Sequence, residues 1–245
     1  MQIIKPMLDI YHEILYRPLF NLLVFLYDTI AFSDLGIAII LLTLLIKVVF
    51  LPLSQKAIRS QKALQELQPR VNAIKEKYKD NKEEQARQMM AFYKENKVNP
   101  MSGCLPILIQ LPILIALYQV FLKGFNPDNL NVLYSFVANP GVLDPFFLGK
   151  LDLSLPSRVV AVLAGLSQFW QSKMITPKKK LAGAPKSSDE FMAQAMSRNM
   201  LYFLPIFTVV ISWSLPSGLA LYWLVTTIFT VVQQYVSMRP SSPKV

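Results

Sequence analysis

The stretch LGIAIILLTLLIKVVFLPL, from Leu35 to Leu53, decides what kind of fold this chain can adopt. A bilayer core about 30 Å thick is crossed by roughly 20 apolar residues in a helix that rises 1.5 Å per residue. The stretch is therefore predicted to be a transmembrane helix. Lys47 lies inside it, four residues after Thr43, and a cation inside a membrane helix needs a physical reason.

The rest of the chain repeats this apolar pattern. Hydrophobic residues make up 53% of the 245 residues and charged residues only 16%, against roughly 25% in soluble domains. We predict an all-α polytopic membrane protein with five transmembrane helices. The predicted spans are 35–53, 101–123, 156–174, 200–215 and 216–237. With one cysteine and one histidine, the chain cannot build a disulfide framework or a His/Cys metal cluster, and we expect no cofactor.

The lysines and arginines predict the orientation of these spans. Residues 54–100 carry 11 of them and residues 173–199 carry six, whereas the loop 124–155 has one basic residue and three acids. Loops rich in lysine and arginine stay in the cytoplasm. The segments 54–100 and 175–199 and the tail 238–245 are therefore predicted inside, and the N-terminus and the loop 124–155 outside.

Residues 1–34 are apolar but interrupted by polar side chains. We predict an amphipathic helix lying on the outer membrane surface. A sixth span over residues 7–32 is the alternative, but it would upset the alternation of charge. The segment has no small-residue cleavage site, so we expect no cleavable signal peptide.

The segment 54–100 is predicted to be a cytoplasmic helical hairpin with its turn at residues 79–84, because apolar residues recur at steps of three and four. Pro69 lies in the first arm and is expected to bend or interrupt it. One interpretation is a solvated coiled coil that only fixes topology; the other is a basic arm that contacts a ribosome, a nascent chain or lipid headgroups. The predicted apolar seams are Leu64, Leu67, Val71, Ile74 and Tyr78 on the first arm and Ala86, Met89, Met90 and Tyr93 on the second.

Two explanations are open for Lys47. Its long side chain can extend to the cytoplasmic surface, or it can face a water-filled cavity open to the cytoplasm. All 15 carboxylates fall outside the five spans, and an unpaired buried ammonium in lipid is costly. We favour the cavity, closed toward the outside because the helix is apolar beyond Thr43. Other spans add polar or amphipathic side chains, namely Gln110, Gln168, Gln171, Ser212 and Trp223.

Catalytic motifs are missing from the sequence. It has no glycine-rich phosphate loop and no H-E-x-x-H zinc motif, and the spans contain no carboxylate pair for acid–base chemistry. We predict that the protein is not an enzyme. The competing functions are a small transporter or anion pathway that uses Lys47 as its binding site, and a scaffold that docks ribosomes or lipids.

Four stretches resemble a known family. They are GIAIILLTLLIKVVFLPLSQKAIRSQKAL, NPMSGCLPILIQLPILIALYQVF, VLAGLSQFWQSKM and LPSGLALYWLVTTIFTVVQQY. The chain closely resembles the YidC family of membrane-protein insertases in its short five-span form, from about Tyr11 to Val236.

The resemblance implies a hydrophilic groove that is open to the cytoplasm and the lipid and closed outward. Its central positive residue, usually arginine, corresponds to Lys47, which keeps the charge but loses the planar fork of donors. Thr43 matches a polar groove position, Trp223 an aromatic substrate contact, and either Gln168 or Gln171 a groove glutamine. With Gln110, these are the predicted groove residues; the substrate-receiving hairpin is represented by Leu64, Leu67, Pro69, Met89 and Met90.

The resemblance also implies partners and a location. The expected substrates are nascent membrane proteins, which a monomer in the bacterial cytoplasmic membrane would release into the lipid bilayer. The ribosome and the Sec translocon are further candidate partners.

Overall fold

The computed structural model describes residues 9–99, 101, 105–123, 127–175 and 201–238, and these are mostly helical. Predictions for residues 1–8, for the loop from 176 to 199 and for the tail from 239 to 245 lie outside these ranges. The helices are α1 (Arg17–Thr29), α2 (Leu35–Val49), α3 (Leu51–Lys77), α4 (Lys82–Glu95), α5 (Leu105–Lys123), α6 (Arg158–Ile175), α7 (Leu201–Ser212) and α8 (Ser217–Met238).

Helix α1 continues a π-helical turn at His12–Tyr16 and buries one face in the protein. Asn21 is at the centre of that face and is 2% exposed. Its Nδ2 donates to the carbonyls of Arg17 (2.8 Å) and Val132 (3.2 Å), and its Oδ1 accepts from the N–H of Tyr134 (2.6 Å). The helix predicted to lie on the outer surface thus also holds the outer loop in place.

The predicted span 35–53 is not one straight helix. Helix α2 begins after Asp34, whose side chain accepts from the N–H of Ile37 at 2.9 Å, and it ends at Val49. After Phe50 the chain turns by 68° into α3. Pro52 explains the break, because it has no N–H to donate and its ring disfavours a helical residue before it.

Helices α3 and α4 form the hairpin, with three corrections to the prediction. Pro69 does not interrupt α3, which continues to Lys77; the side chain is exposed, so water can satisfy the carbonyl that the proline leaves unpaired. The turn is shorter than 79–84, since α4 begins after Asn81, which accepts from the N–H of Glu84 at 3.0 Å. Ala86 and Met90 of the predicted seam are exposed, and the buried residue of α4 is Gln85, which donates to the carbonyl of Lys75 at 2.7 Å.

The outer loop contains a short antiparallel pair, β1 (Phe146–Phe147) and β2 (Leu151–Asp152), which the all-α prediction did not include. The loop also closes over the start of α8. Ser217 N–H donates to the carbonyl of Leu155 (2.9 Å), and Gly218 N–H donates to that of Leu153 (3.0 Å). These bonds fix the outer end of α8 to the loop.

The hydrophobic core lies in one half of the helix bundle. It is built from the buried face of α1, the first half of α2, the second half of α5, the first turns of α8 and the outer loop. In the predicted orientation all of these parts are on the outer side. In α2 the run of buried residues ends at Thr43, and in α5 it begins at Ile113 among the side chains described, those from Leu108 onward. The other half, which the predicted orientation places on the cytoplasmic side, has more exposed side chains on α2 and α5.

Length and composition single out one described helix as able to cross a bilayer by itself, residues Ser217–Ser237. The bent pair α2 and α3 passes the same criterion when the two are counted together. Two shorter apolar helices, Leu108–Leu122 and Leu201–Ser212, fall below the required length. The count of five spans accordingly remains a prediction.

Candidate functional site

Lys47 lies in the last turn of α2 and is half-buried. Its Nζ donates to Thr230 Oγ1 of α8 at 3.1 Å, and that hydroxyl donates in turn to the carbonyl of Thr226 at 2.8 Å. The partner of the Lys47 ammonium on α8 is thus an uncharged hydroxyl oxygen. This hydrogen bond does not neutralise the positive charge of Lys47. Such a site retains its attraction for acidic or polar groups.

Lys47 lines a pocket of about 60 Å³ between α2, α5 and the beginning of α3. We call it the lysine pocket. Because one water needs roughly 10–15 Å³, it has room for several waters but not for a polypeptide segment. Its lining residues are Ile46, Lys47, Phe50, Leu53, Ser54, Ala57, Ile109, Gln110 and Ile113.

A polar stripe on α8 joins the helices around this pocket. Its members, Tyr222, Thr226, Thr230 and Gln233, are four, four and three residues apart and so share one helical face. Gln110 of α5 donates to the hydroxyl of Tyr222, Lys47 of α2 donates to Thr230, and Gln233 donates to Ser54 of α3 at 2.6 Å. One face of α8 therefore contacts three helices through side-chain hydrogen bonds.

Sequence reasoning missed Ser54, Tyr222, Thr230 and Gln233. The spacing along α8 was a usable signal, because four polar or hydroxyl-bearing residues on one face of an apolar helix are unusual in lipid. Their partners on α2, α3 and α5 are more than 100 residues away in sequence and left no local pattern.

Thr43 does not line the lysine pocket. It is fully buried, and its hydroxyl donates to the carbonyl of Ile39 at 2.6 Å within α2. Although Thr43 is one turn from Lys47, its side chain is buried in the packed half of the helix bundle. In this conformation the polar lining of α2 ends at Lys47.

Gln168 and Trp223 form a second polar contact, between α6 and α8. Trp223 Nε1 donates to Gln168 Oε1 at 3.2 Å, whereas Gln171 has no hydrogen bond within the described part of the chain. Trp223 is next to Tyr222 and therefore lies about 100° around the helix from it. Four of the six predicted groove residues thus divide into two clusters on neighbouring faces of α8, Lys47 with Gln110 and Gln168 with Trp223, and Thr43 and Gln171 belong to neither.

The hairpin residues lie apart from both clusters. Leu64, Leu67 and Met89 are half-buried, while Pro69 is exposed and Met90 is 63% exposed. The hairpin also contacts the bundle at the end of α6, where Gln65 donates to the carbonyl of Ile175. The structure does not bring these residues to the lysine pocket.

Comparison with known proteins identifies the class. Residues 25–244 match the family described as 60Kd inner membrane protein. The chain is 39% identical over 227 residues to the membrane protein insertase YidC of Fusobacterium nucleatum subsp. nucleatum, covering 92% of this chain and 97% of that protein. It is also 39% identical over 204 residues to the YidC insertase of Francisella philomiragia subsp. philomiragia, covering 83% of this chain but only 32% of that longer protein.

A solved structure of a YidC insertase is also similar to this chain. The crystal structure of an active YidC insertase with its first transmembrane domain resolved superimposes with a TM-score of 0.60 at 25% identity, covering 94% of this chain and 47% of that one. The fold is thus that of a mostly helical membrane protein with an insertase as structural neighbour. The chain belongs to the 60Kd inner membrane protein family, the family of the YidC insertases, and this confirms the resemblance noted in its sequence. Membrane protein insertion is the function of this family, and the bacterial cell membrane is its location.

Proposed function

We propose that this protein takes the hydrophilic flank of a nascent membrane protein into the lysine pocket from the cytoplasm and releases the adjoining apolar segment into lipid. The observation that carries this proposal is the contrast between the two halves of α2. Its outer half is packed into the core up to Thr43, whereas Lys47 lines a pocket in the other half. A polar segment is thereby accepted from one side only.

The energetics need no nucleotide. Partitioning of roughly 20 apolar residues into lipid is favourable, while moving a charged residue to the bilayer centre costs about 2.5–3.5 kcal/mol on insertion scales. A wet pocket shortens the apolar distance that the flank must cross. The uncompensated charge of Lys47 holds an acidic flank, and the membrane potential favours its outward release.

The pocket must widen to accept a polypeptide, since its volume is only about 60 Å³. The base of α3 is the wall best able to move, because the backbone breaks at Phe50. The hairpin, with its exposed Met90, receives the substrate before this opening.

The proposed topology places the N-terminus outside and the C-terminus in the cytoplasm, with five spans. The protein acts as a monomer, alone or beside the Sec translocon, and can receive chains from a ribosome. The basic hairpin supports a cytoplasmic encounter with these partners.

Site-specific photocrosslinking tests the proposal. Probes replace Lys47, Gln110 or Trp223 in membranes that contain a ribosome-bound single-span protein, and the control probe replaces Leu44, a half-exposed residue of α2 that does not line the pocket. Crosslinks to the nascent chain from the first three positions, lost when the chain is released, are expected. Equal crosslinking from Leu44, or lipid crosslinks alone at Lys47, would contradict the pocket mechanism.

A further inference from the structure

Two large apolar residues on the outer side of the protein combine high exposure with an unusual backbone. Phe32 is 92% exposed with φ of 53°, and Leu148 is 64% exposed with φ of 51°. Left-handed backbone is rare for bulky residues and is normally left to glycine or asparagine. We call this pair the outer apolar tip.

One carboxylate fixes both parts of the tip. Asp34 is two residues after Phe32, and its Oδ1 accepts from the N–H of Ile37 at 2.9 Å, which caps α2. Its Oδ2 accepts from the N–H of Leu148 at 2.6 Å. The turn that carries Leu148 is thus tied to the start of α2, directly beside the loop that carries Phe32.

Close packing between β1 and the start of α2 fixes the position of the outer apolar tip along the axis of α2. The ring of Phe147 lies against Gly36, where even a Cβ atom would come within 2.1 Å of it. The turn after β1 therefore lies level with the first turn of α2. Because the predicted first span begins at Leu35, the tip lies at the outer boundary of the bilayer.

Lipid is the natural partner of exposed apolar side chains at the outer boundary of the bilayer. Exposed in water, two large apolar side chains forgo the stabilisation of burial, whereas Phe and Leu side chains of interfacial segments are buried at the boundary between headgroups and acyl chains. Ile30 and Phe146 beside them are also exposed, at 51% and 42%. Glycine would adopt the backbone conformation at positions 32 and 148 without strain. The chain instead has Phe32 and Leu148 there, with their side chains exposed.

We propose that Phe32 and Leu148 insert into the outer leaflet and anchor the outer ends of α1 and α2 in the lipid. The anchor is distinct from the insertase mechanism but rests on the proposed topology, with residues 1–34 and 124–155 outside. Asp34 is its positioning residue, because it holds the two strained segments together.

Spin labels measure the depth of the tip. In a Cys104→Ser background, which removes the one native cysteine, single cysteines at position 32 or 148 carry a nitroxide. The protein is placed in phosphatidylethanolamine–phosphatidylglycerol vesicles. Ala138, exposed on the same outer loop, gives the aqueous reference, and Leu166, exposed on α6, gives the lipid reference. Collisions with oxygen and with a membrane-impermeant nickel chelate are compared.

Labels at 32 and 148 are expected to shift from the Ala138 value toward the Leu166 value, with high oxygen and low nickel accessibility. Asp34→Ala is expected to reduce this shift at 148, and Asp34→Asn, which retains an acceptor oxygen, to reduce it less. Nickel accessibility at both positions equal to that at Ala138 would overturn the anchor and leave a protein partner as the candidate occupant. The measurement uses no substrate, so its failure is distinct from a failure of insertion.

Discussion

Gln233 of α8 donates a 2.6 Å hydrogen bond to Ser54 of α3, four residues beyond the break at Phe50. On the other side of the break, Lys47 of α2 donates to Thr230, three residues before Gln233. The last helix thus contacts both sides of the bend. Ser54 also lines the lysine pocket, so its bond to Gln233 holds one pocket wall in place.

Loss of the Ser54–Gln233 bond is expected to loosen the base of α3. Gln233→Leu removes the donor, and a hydrogen bond of this kind contributes about 0.5–1.5 kcal/mol. Hydrogen–deuterium exchange of the amides from 53 to 57 should become roughly 2- to 10-fold faster, since each 1.4 kcal/mol corresponds to a factor of ten. Gln234→Leu is the matched control, because Gln234 is also buried but does not contact Ser54 through a hydrogen bond. Equal acceleration in both variants would show that the Ser54–Gln233 hydrogen bond does not hold the base of α3 in place.

Replacement of Lys47 tests its charge. Lys47→Arg should retain insertion, whereas Lys47→Met should reduce insertion of a substrate with an acidic outward flank roughly 10- to 150-fold, given about 1.5–3 kcal/mol for a charge-assisted hydrogen bond. The same substrate with its acids changed to glutamine or asparagine should be affected less by Lys47→Met. The readout is protease protection of the translocated flank, and equal losses for both substrates would rule out an electrostatic role.

Gly165 allows α6 and α7 to pack closely. A Cβ at this position would lie 2.2 Å from Val209 Cγ2 and 3.2 Å from the carbonyl of Pro205. Gly165→Ala should therefore lower the free energy of unfolding by about 1–3 kcal/mol, the usual range for overpacking. Thermal unfolding in detergent measures this loss, and adding Val209→Ala should recover part of it. A double variant no more stable than Gly165→Ala would show that Val209 is not the obstacle.

Asn21 joins α1 to the outer loop through both ends of its side-chain amide. Asn21→Leu should cost about 1–3 kcal/mol, because it leaves the buried N–H of Tyr134 without its acceptor. Asn21→Asp keeps an acceptor for that N–H but buries a carboxylate oxygen against the carbonyls of Arg17 and Val132, so we expect a loss at least as large. Chemical denaturation ranks the three proteins. If Asn21→Leu were as stable as the native chain, the hydrogen bonds would contribute nothing to docking.

The sequence predicted those features that depend on the residues of a single helix. Periodicity and hydropathy indicated a mostly helical chain, and an isolated cation among apolar residues singled out Lys47. Hydropathy did not detect the break at Phe50, because the apolar run continues past it to Leu53; Pro52 was the local signal. Thr43 was expected beside Lys47 on geometry within α2, but whether a residue faces a pocket or a core depends on the other helices. Contacts such as Lys47–Thr230, 183 residues apart, require the tertiary fold.

The break at Phe50 also gives the hairpin a mechanical advantage. Helix α3 has 27 residues, so its far end lies about 40 Å from the break at 1.5 Å per residue, whereas Ser54 is only about 6 Å from it. A rotation of roughly 10° about Phe50 would then move the far end by about 7 Å and Ser54 by about 1 Å. Such a lever multiplies force at its short end nearly sevenfold. A small force that an incoming chain exerts on the far end of the hairpin would therefore become a nearly sevenfold larger force on the Ser54–Gln233 hydrogen bond.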